Sequence, residues 1–220
     1  MTITEARRNG PPPVLLAGIS LGLLVAGLAI SAALGGTIPS PFGDATAITS
    51  YFAQHPAAVQ ASALFTFGSA VPLALLAATV STRLRTLGGT APGATIALVG
   101  GVVSAAMLSI SALLGWVLSR PEVSADPPLV RALHDLTFLT GGVAHVVFLG
   151  LLVAGVAVPG LLAGVLPRWL AITGIAIAAV AELATLSLLW DGVSILLPIA
   201  RFPGLIWLVV AGYLLPRRAV

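Results

Sequence analysis

The chain has 220 residues, 58% of them hydrophobic and only 8% charged, with a formal net charge of +3. Soluble domains carry roughly 25% charged residues, and a chain this poor in polar groups cannot cover a water-facing surface. With no cysteine, disulfides, iron–sulfur clusters, Cys-ligated zinc and thiol catalysis are excluded.

All the basic residues are Arg, lying in short clusters between apolar runs. That is the distribution of membrane-topology signals rather than of a phosphate-binding surface, so nucleic acid is not an expected partner and the lipid bilayer is. Arg7-Arg8 could open a twin-arginine signal, but the apolar stretch from Val14 to Leu34 exceeds the 7–15 residues of a signal-peptide core. The expectation is a retained first helix.

The expected fold is all-α, a single membrane domain of six transmembrane helices over about 13–36, 57–80, 94–119, 129–158, 169–190 and 198–216. Pro11 to Pro13 stand where a helix start tolerates proline. The first outer loop carries Ile48, Tyr51, Phe52 and His55 at 3–4 spacing behind Asp44, a helix cap. This predicts a short interfacial helix with Tyr51 and Phe52 at headgroup level. Pro72 should kink the second span, and Pro159-Gly160 should end the fourth. Trp169 and Trp190 bracket the fifth as an aromatic belt would.

With the N-terminus inside, Arg7, Arg8, Arg83, Arg85, Arg168, Arg217 and Arg218 are cytoplasmic, against Arg120, Arg131 and Arg201 outside. This supports N-in and C-in topology. The Arg, Ala and Gly bias with no Lys suggests a GC-rich genome. Rows of small residues, Gly18 with Gly22, Ser104 with Ser111 and Gly115, and Gly174 with Ala178 and Ala181, suit close packing inside one bundle. The two halves show no internal repeat of the kind built into many transporters.

Two ionisable residues fall inside apolar spans, His145 and Glu182. Charge at membrane depth costs ~2.5–3.5 kcal/mol on insertion scales, so such groups turn inward and find partners. The fourth and fifth spans form an antiparallel hairpin, in which residues at one depth share an index sum. With Val158 and Trp169 as inner edges, His145 lies level with Glu182, ~12–14 Å below the outer surface. If the fourth span instead starts near Leu129, Glu182 comes closer to His134, Asp135 or Arg131. A Glu–His pair could hold or relay a proton, or simply lock the hairpin by a hydrogen bond.

Arg131, His134, Asp135, Asp191 and Arg201, with Gln60, gather at the outer end as a ligand vestibule or as solvated helix ends. No metal or cofactor is expected. His134 and His145 stand ~16 Å apart along one helix, and there is no HExxH, GxSxG, Walker or dinucleotide motif.

Phe148-Leu-Gly150, then Leu166-Pro167-Arg168-Trp169-Leu170, then Leu205-Ile-Trp207-Leu with Gly212, resemble a bacterial family of six-span membrane proteins known as a domain of unknown function. The resemblance covers roughly Ala144 to Leu215. It implies six helices and a bacterial membrane, and it assigns no catalytic residue. The functional expectation is a non-enzymatic protein binding a small ligand, lipid or membrane partner protein through its outer half. The alternatives are a small-solute or proton-linked transporter, and a membrane-embedded metal-dependent hydrolase.

Overall fold

A computed structural model describes residues 10–88 and 91–216. Arg7, Arg8, Arg217 and Arg218 of the topology argument lie outside the described residues. The described chain is helical with no strand, and six helices are long and apolar enough to cross a membrane. This is a multi-pass membrane protein.

The elements are α1 (Pro13–Gly35), α2 (Ala45–Gln54), α3 (Pro56–Thr86), α4 (Ala91–Leu118), α5 (Pro121–Ser124), α6 (Pro127–Phe138), α7 (His145–Leu162), α8 (Arg168–Leu183) and α9 (Leu196–Leu214). A π-helical segment, Leu139–Ala144, joins α6 to α7 as one span, and 3-10 turns at Ala184–Leu188 and Asp191–Ile195 lead from α8 to α9. Bilayer depth explains the lengths, since ~20 residues at 1.5 Å each cross the hydrocarbon layer. Large apolar side chains such as Leu15, Leu64, Val71, Trp169 and Ile172 are more than half exposed. Lipid is the solvent in which that surface is stable.

Packing relies on small residues. Ala17 and Ser20 of α1 are buried, and the Ser20 hydroxyl donates to the Ser69 carbonyl at 2.8 Å beside Pro72 in α3. Gly27 meets Phe65 and Gly35 meets His55. At α4 and α7 the main chains nearly touch through Gly100, facing Leu151 and Leu152, and Gly155, facing Ala97. Gly150 packs on Ala178 and Ala181, and Gly174 on Trp207 and Ala157. Gly212 of α9 abuts Pro13 and Val14 of α1, so the two ends of the described chain meet on one face. That face is here the inner one, and the face of Asp44, Asp126 and Asp191 the outer.

Four expectations are corrected. Gly18 and Gly22 face outward with nothing near them, because α1 turns Gly27 and Ser20 to the bundle instead. Pro159 does not end the fourth span. The helix continues to Leu162, Pro159 fits against Gly93, and the stop comes at Gly164, whose positive φ of 65° suits a residue without Cβ. The second span reaches Thr86, so Arg83 and Arg85 lie in its last turn rather than in a loop, where they complement the helix dipole.

The fourth correction concerns α2. It exists as expected, with the Asp44 carboxylate accepting from the Ala47 N–H at 2.9 Å. Its Ile48, Tyr51 and Phe52, however, are buried against Val59, Leu118 and Val130 rather than held among headgroups. The helix closes the outer end of the bundle. Burial pushes the Tyr51 phenol above its ordinary value, so it stays neutral there.

Candidate functional site

The expected Glu–His pair is not formed. The depth argument holds, because Gly150 lies level with Ala178 and Ala181, close to the register that placed His145 opposite Glu182. The azimuth does not. Ala181 fills the interface, and the next residue points roughly 100° away around the helix. Glu182 is exposed on the outside of the bundle, within two turns of Leu188.

His145 is fully buried and is held by α4 instead. Its Nδ1 lies 2.9 Å from Ser104 Oγ and 3.1 Å from the Ser104 carbonyl, and Ser104 Oγ lies 2.9 Å from the His145 carbonyl, to which it donates. A neutral ring with its proton on Nδ1 satisfies this set, donating to the Ser104 oxygens. Nε2 is buried with no partner. The stripe Ser104–Ser111 of α4 is thus a polar seam, since the Ser111 hydroxyl donates to the Thr137 carbonyl at 2.9 Å.

Glu182→Gln is therefore expected to leave stability within about 0.5 kcal/mol of the parent, as for other exposed substitutions. Unfolding in detergent measures this. A loss of 2 kcal/mol or more, on the order of breaking a buried charge pair, would restore the pairing.

The outer cluster divides. Arg131 and Asp135 bridge each other at 3.2 Å in the i,i+4 geometry expected, and Arg131 also reaches the Gly43 carbonyl. Gln60 and Asp191 are exposed and do not line the outer cavity. His134 and Arg201 do, and both are turned inward rather than out to the headgroups. His134 is buried, its Nε2 3.2 Å from the Pro39 carbonyl and its ring edge-on to Phe52 at 5.2 Å. Nδ1 is left without a partner. That geometry puts the ring proton on Nε2 and an acceptor lone pair on Nδ1.

Arg201 lies in the second turn of α9 and crosses to the π segment, where its Nη2 donates to the Gly141 carbonyl. Its Nε is buried with no acceptor. No carboxylate lies within ion-pair distance of Arg201 among the described residues. A guanidinium has five N–H donors, and here one is matched by protein. The π segment makes this reach available. An i→i+5 turn widens the helix and loosens the pairing of its carbonyls, and such turns recur at functional sites. Gly141 permits the fit, since a Cβ there would stand 2.7 Å from Ser111 Cβ.

Between these groups lies a cavity of about 390 Å³. Its walls come from the outer halves of α1, α3, α4, α6 and α9 and from the 36–44 loop, folded back over the bundle. Leu24, Leu108, Ala112 and Leu197 make it apolar, while Ser62, Thr66, Thr137 and Ser194 contribute hydroxyls. Leu28, Ile38 and Phe42 stand at its rim, each between 40% and 47% exposed. The sequence offered Arg201 and His134 as outer residues. It did not signal that a π turn and a returning loop would internalise them.

The chain matches no protein family, curated protein or solved structure.

No group of three or more His, Cys, Asp or Glu side chains able to hold a metal occurs among the described residues. His134 and His145 belong to different environments, the cavity wall and the α4 seam. The arrangement offers hydrogen-bond donors and a positive charge at an apolar cavity, which suits ligand recognition.

Proposed function

We propose that this is a ligand-binding membrane protein of the bacterial cytoplasmic membrane, both termini cytoplasmic, taking a small partly apolar molecule into the cavity between its outer helix ends. The observation that carries this reading is the combination of an apolar 390 Å³ space with two polar side chains in its lining, His134 and Arg201, each holding a buried atom, Nδ1 and Nε, that no protein group matches. Buried polar groups are ordinarily hydrogen-bonded. Ligand pockets combine an apolar lining with a few such groups, in volumes of roughly 300–1,000 Å³. Arg83 and Arg85 at the inner end of α3, and Arg168 at that of α8, support the cytoplasmic assignment of that face.

Transport and metal-dependent hydrolysis are less well supported. A transporter would use a polar path between the two faces. The described inner half instead packs Leu73, Leu76, Leu152 and Trp207 in one apolar core.

Gly115 lines the cavity, and a Cβ built on it meets only Ala63, at 3.9 Å. Gly115→Leu should fill the space without disturbing the fold. The parent, screened in nanodiscs against neutral, anionic and cationic amphiphiles, is expected to gain thermal stability from at least one class, approaching about 2.7 kcal/mol at a hundredfold excess over Kd. Gly115→Leu should fold normally and lose that gain. Stabilisation that survives in the variant would place the ligand elsewhere.

A further inference from the structure

We infer that the cavity selects an anionic amphiphile, a chain of about ten carbons ending in a carboxylate or phosphate, with that headgroup on Arg201. The inference rests on the binding role proposed above and adds the ligand's chemistry.

Charge is the first argument. Arg201 brings a positive charge to the cavity wall, and the lining includes no Asp or Glu. The acids nearest in sequence to the lining residues stay outside the lining, Asp135 on Arg131, Asp44 on the Ala47 N–H at the start of α2, and Asp191 exposed at the outer end. A cationic headgroup would meet repulsion with no compensating acid. A neutral alcohol could accept one hydrogen bond and leave the charge unmatched. A carboxylate or phosphate offers oxygens to the free N–H groups of the guanidinium and neutralises it, in the geometry that favours Arg over other residues for these anions. Ser194, in the 3-10 segment about two turns before Arg201, also lines the cavity and brings a hydroxyl donor to it.

Shape and access supply the tail. At ~30 Å³ per water-sized position, a 390 Å³ cavity holds roughly a dozen non-hydrogen atoms, more than any simple anion needs. The walls away from Arg201 are aliphatic and aromatic, with Leu24 and Leu28 of α1 facing Leu108 and Ala112 of α4. The rim is mainly apolar too, because Leu28, Ile38, Phe42 and Pro198 are exposed there, and the one exposed polar lining residue, Ser40, accepts the Phe42 N–H. Apolar residues at the mouth favour a molecule that brings its own apolar part. A hydrophilic anion would have to shed water against them without return.

The test uses the full chain in nanodiscs of neutral lipid and four ligands of equal length: decanoate, decyl phosphate, decanol and decyltrimethylammonium. Acetate and inorganic phosphate serve as tail-free anions. Binding is read by thermal shift and by native mass spectrometry. Decanoate or decyl phosphate should bind at least tenfold more tightly than decanol, with the cation weakest, and the stronger of the two anions tells carboxylate from phosphate. Arg201→Gln should bring the anion and decanol within threefold of each other, and Arg201→Lys should restore part of the preference. Gly115→Leu should abolish binding of all four. Decanol equal to the anions, tail-free anions equal to their decyl forms, or a preference unchanged in Arg201→Gln would each overturn the assignment. If decanol or the cation binds best and Gly115→Leu blocks it, the cavity still binds but its charge class is wrong. If none of the four binds, the binding role fails with it. Should Arg201→Gln not fold, the headgroup series on the parent decides alone.

Discussion

Gly100→Val is expected to prevent assembly of the bundle, with a loss exceeding about 3 kcal/mol in detergent unfolding. A Cβ on Gly100 would stand 2.5 Å from the Leu152 nitrogen and 2.9 Å from both the Leu151 carbonyl carbon and the Phe148 oxygen. These are main-chain atoms inside a continuous helix, so no rotamer change relieves the contact and α4 must move away from α7. Separation then disrupts the reciprocal contact of Gly155 on Ala97 and the Ser104–His145 hydrogen bonds farther along the same pair. Lipid supplies no hydrophobic drive to pull separated helices together, so close packing carries much of the association energy. Gly18→Val is the control, because nothing lies within 4 Å of a Cβ there, and it should change stability by less than about 0.5 kcal/mol. Equal effects from the two would mean that α4 and α7 do not cross as described.

Gly141→Ala is expected to cost about 2 kcal/mol and to damage ligand binding as well, because overpacking and the site converge on one turn. The added methyl would overlap the Ser111 hydroxyl and stand 2.7 Å from Ser111 Cβ. Relief requires the π segment to shift, and the Gly141 carbonyl that anchors Arg201 shifts with it. Removing the obstacle on the other side should help. Gly141→Ala with Ser111→Gly should recover more than half of the loss, although the Ser111 bond to the Thr137 carbonyl is gone. A double-mutant cycle by thermal unfolding measures the coupling. Additive single effects would show that Gly141 and Ser111 are not in contact.

The spans were legible because bilayer thickness and the lack of water dictate them; six helices stand where six apolar runs were read. Depth in the fourth-to-fifth hairpin was legible too, since a short connection fixes an antiparallel register. Rotation was not. Ala181 and Glu182 differ by one residue, and an apolar helix surface carries almost no amphipathic signal to say which of them faces inward. Small residues misled for the same reason. Gly18 and Gly22 form the more recognisable motif, yet Gly27 makes the contact. Tyr51 and Phe52 had the spacing of an interfacial helix, but spacing fixes only the face of a helix and not the surface it settles on.

The candidate site was half visible. Arg201, His134 and Arg131 were all read at the outer end, and Arg131 pairs with Asp135 as its spacing requires. What decides the site is not local. The Pro39 carbonyl reaches His134 from a loop some ninety-five positions away, and Arg201 reaches Gly141 across sixty. A π turn has no reliable sequence signature, and the glycine pair at 141–142 is a hint only after its neighbours are known.

A cavity accessible from the outer face and closed toward the inner one is testable by single substitutions, because the chain has no cysteine. Ser62→Cys lines that cavity, whereas Ser69→Cys, two turns deeper, is fully buried. In intact cells a small membrane-impermeant thiol reagent should label the first and spare the second, and pre-incubation with a bound amphiphile should slow the labelling. Labelling of Ser62→Cys only from the cytoplasmic side of inverted vesicles, or equal labelling of both positions, would contradict the account.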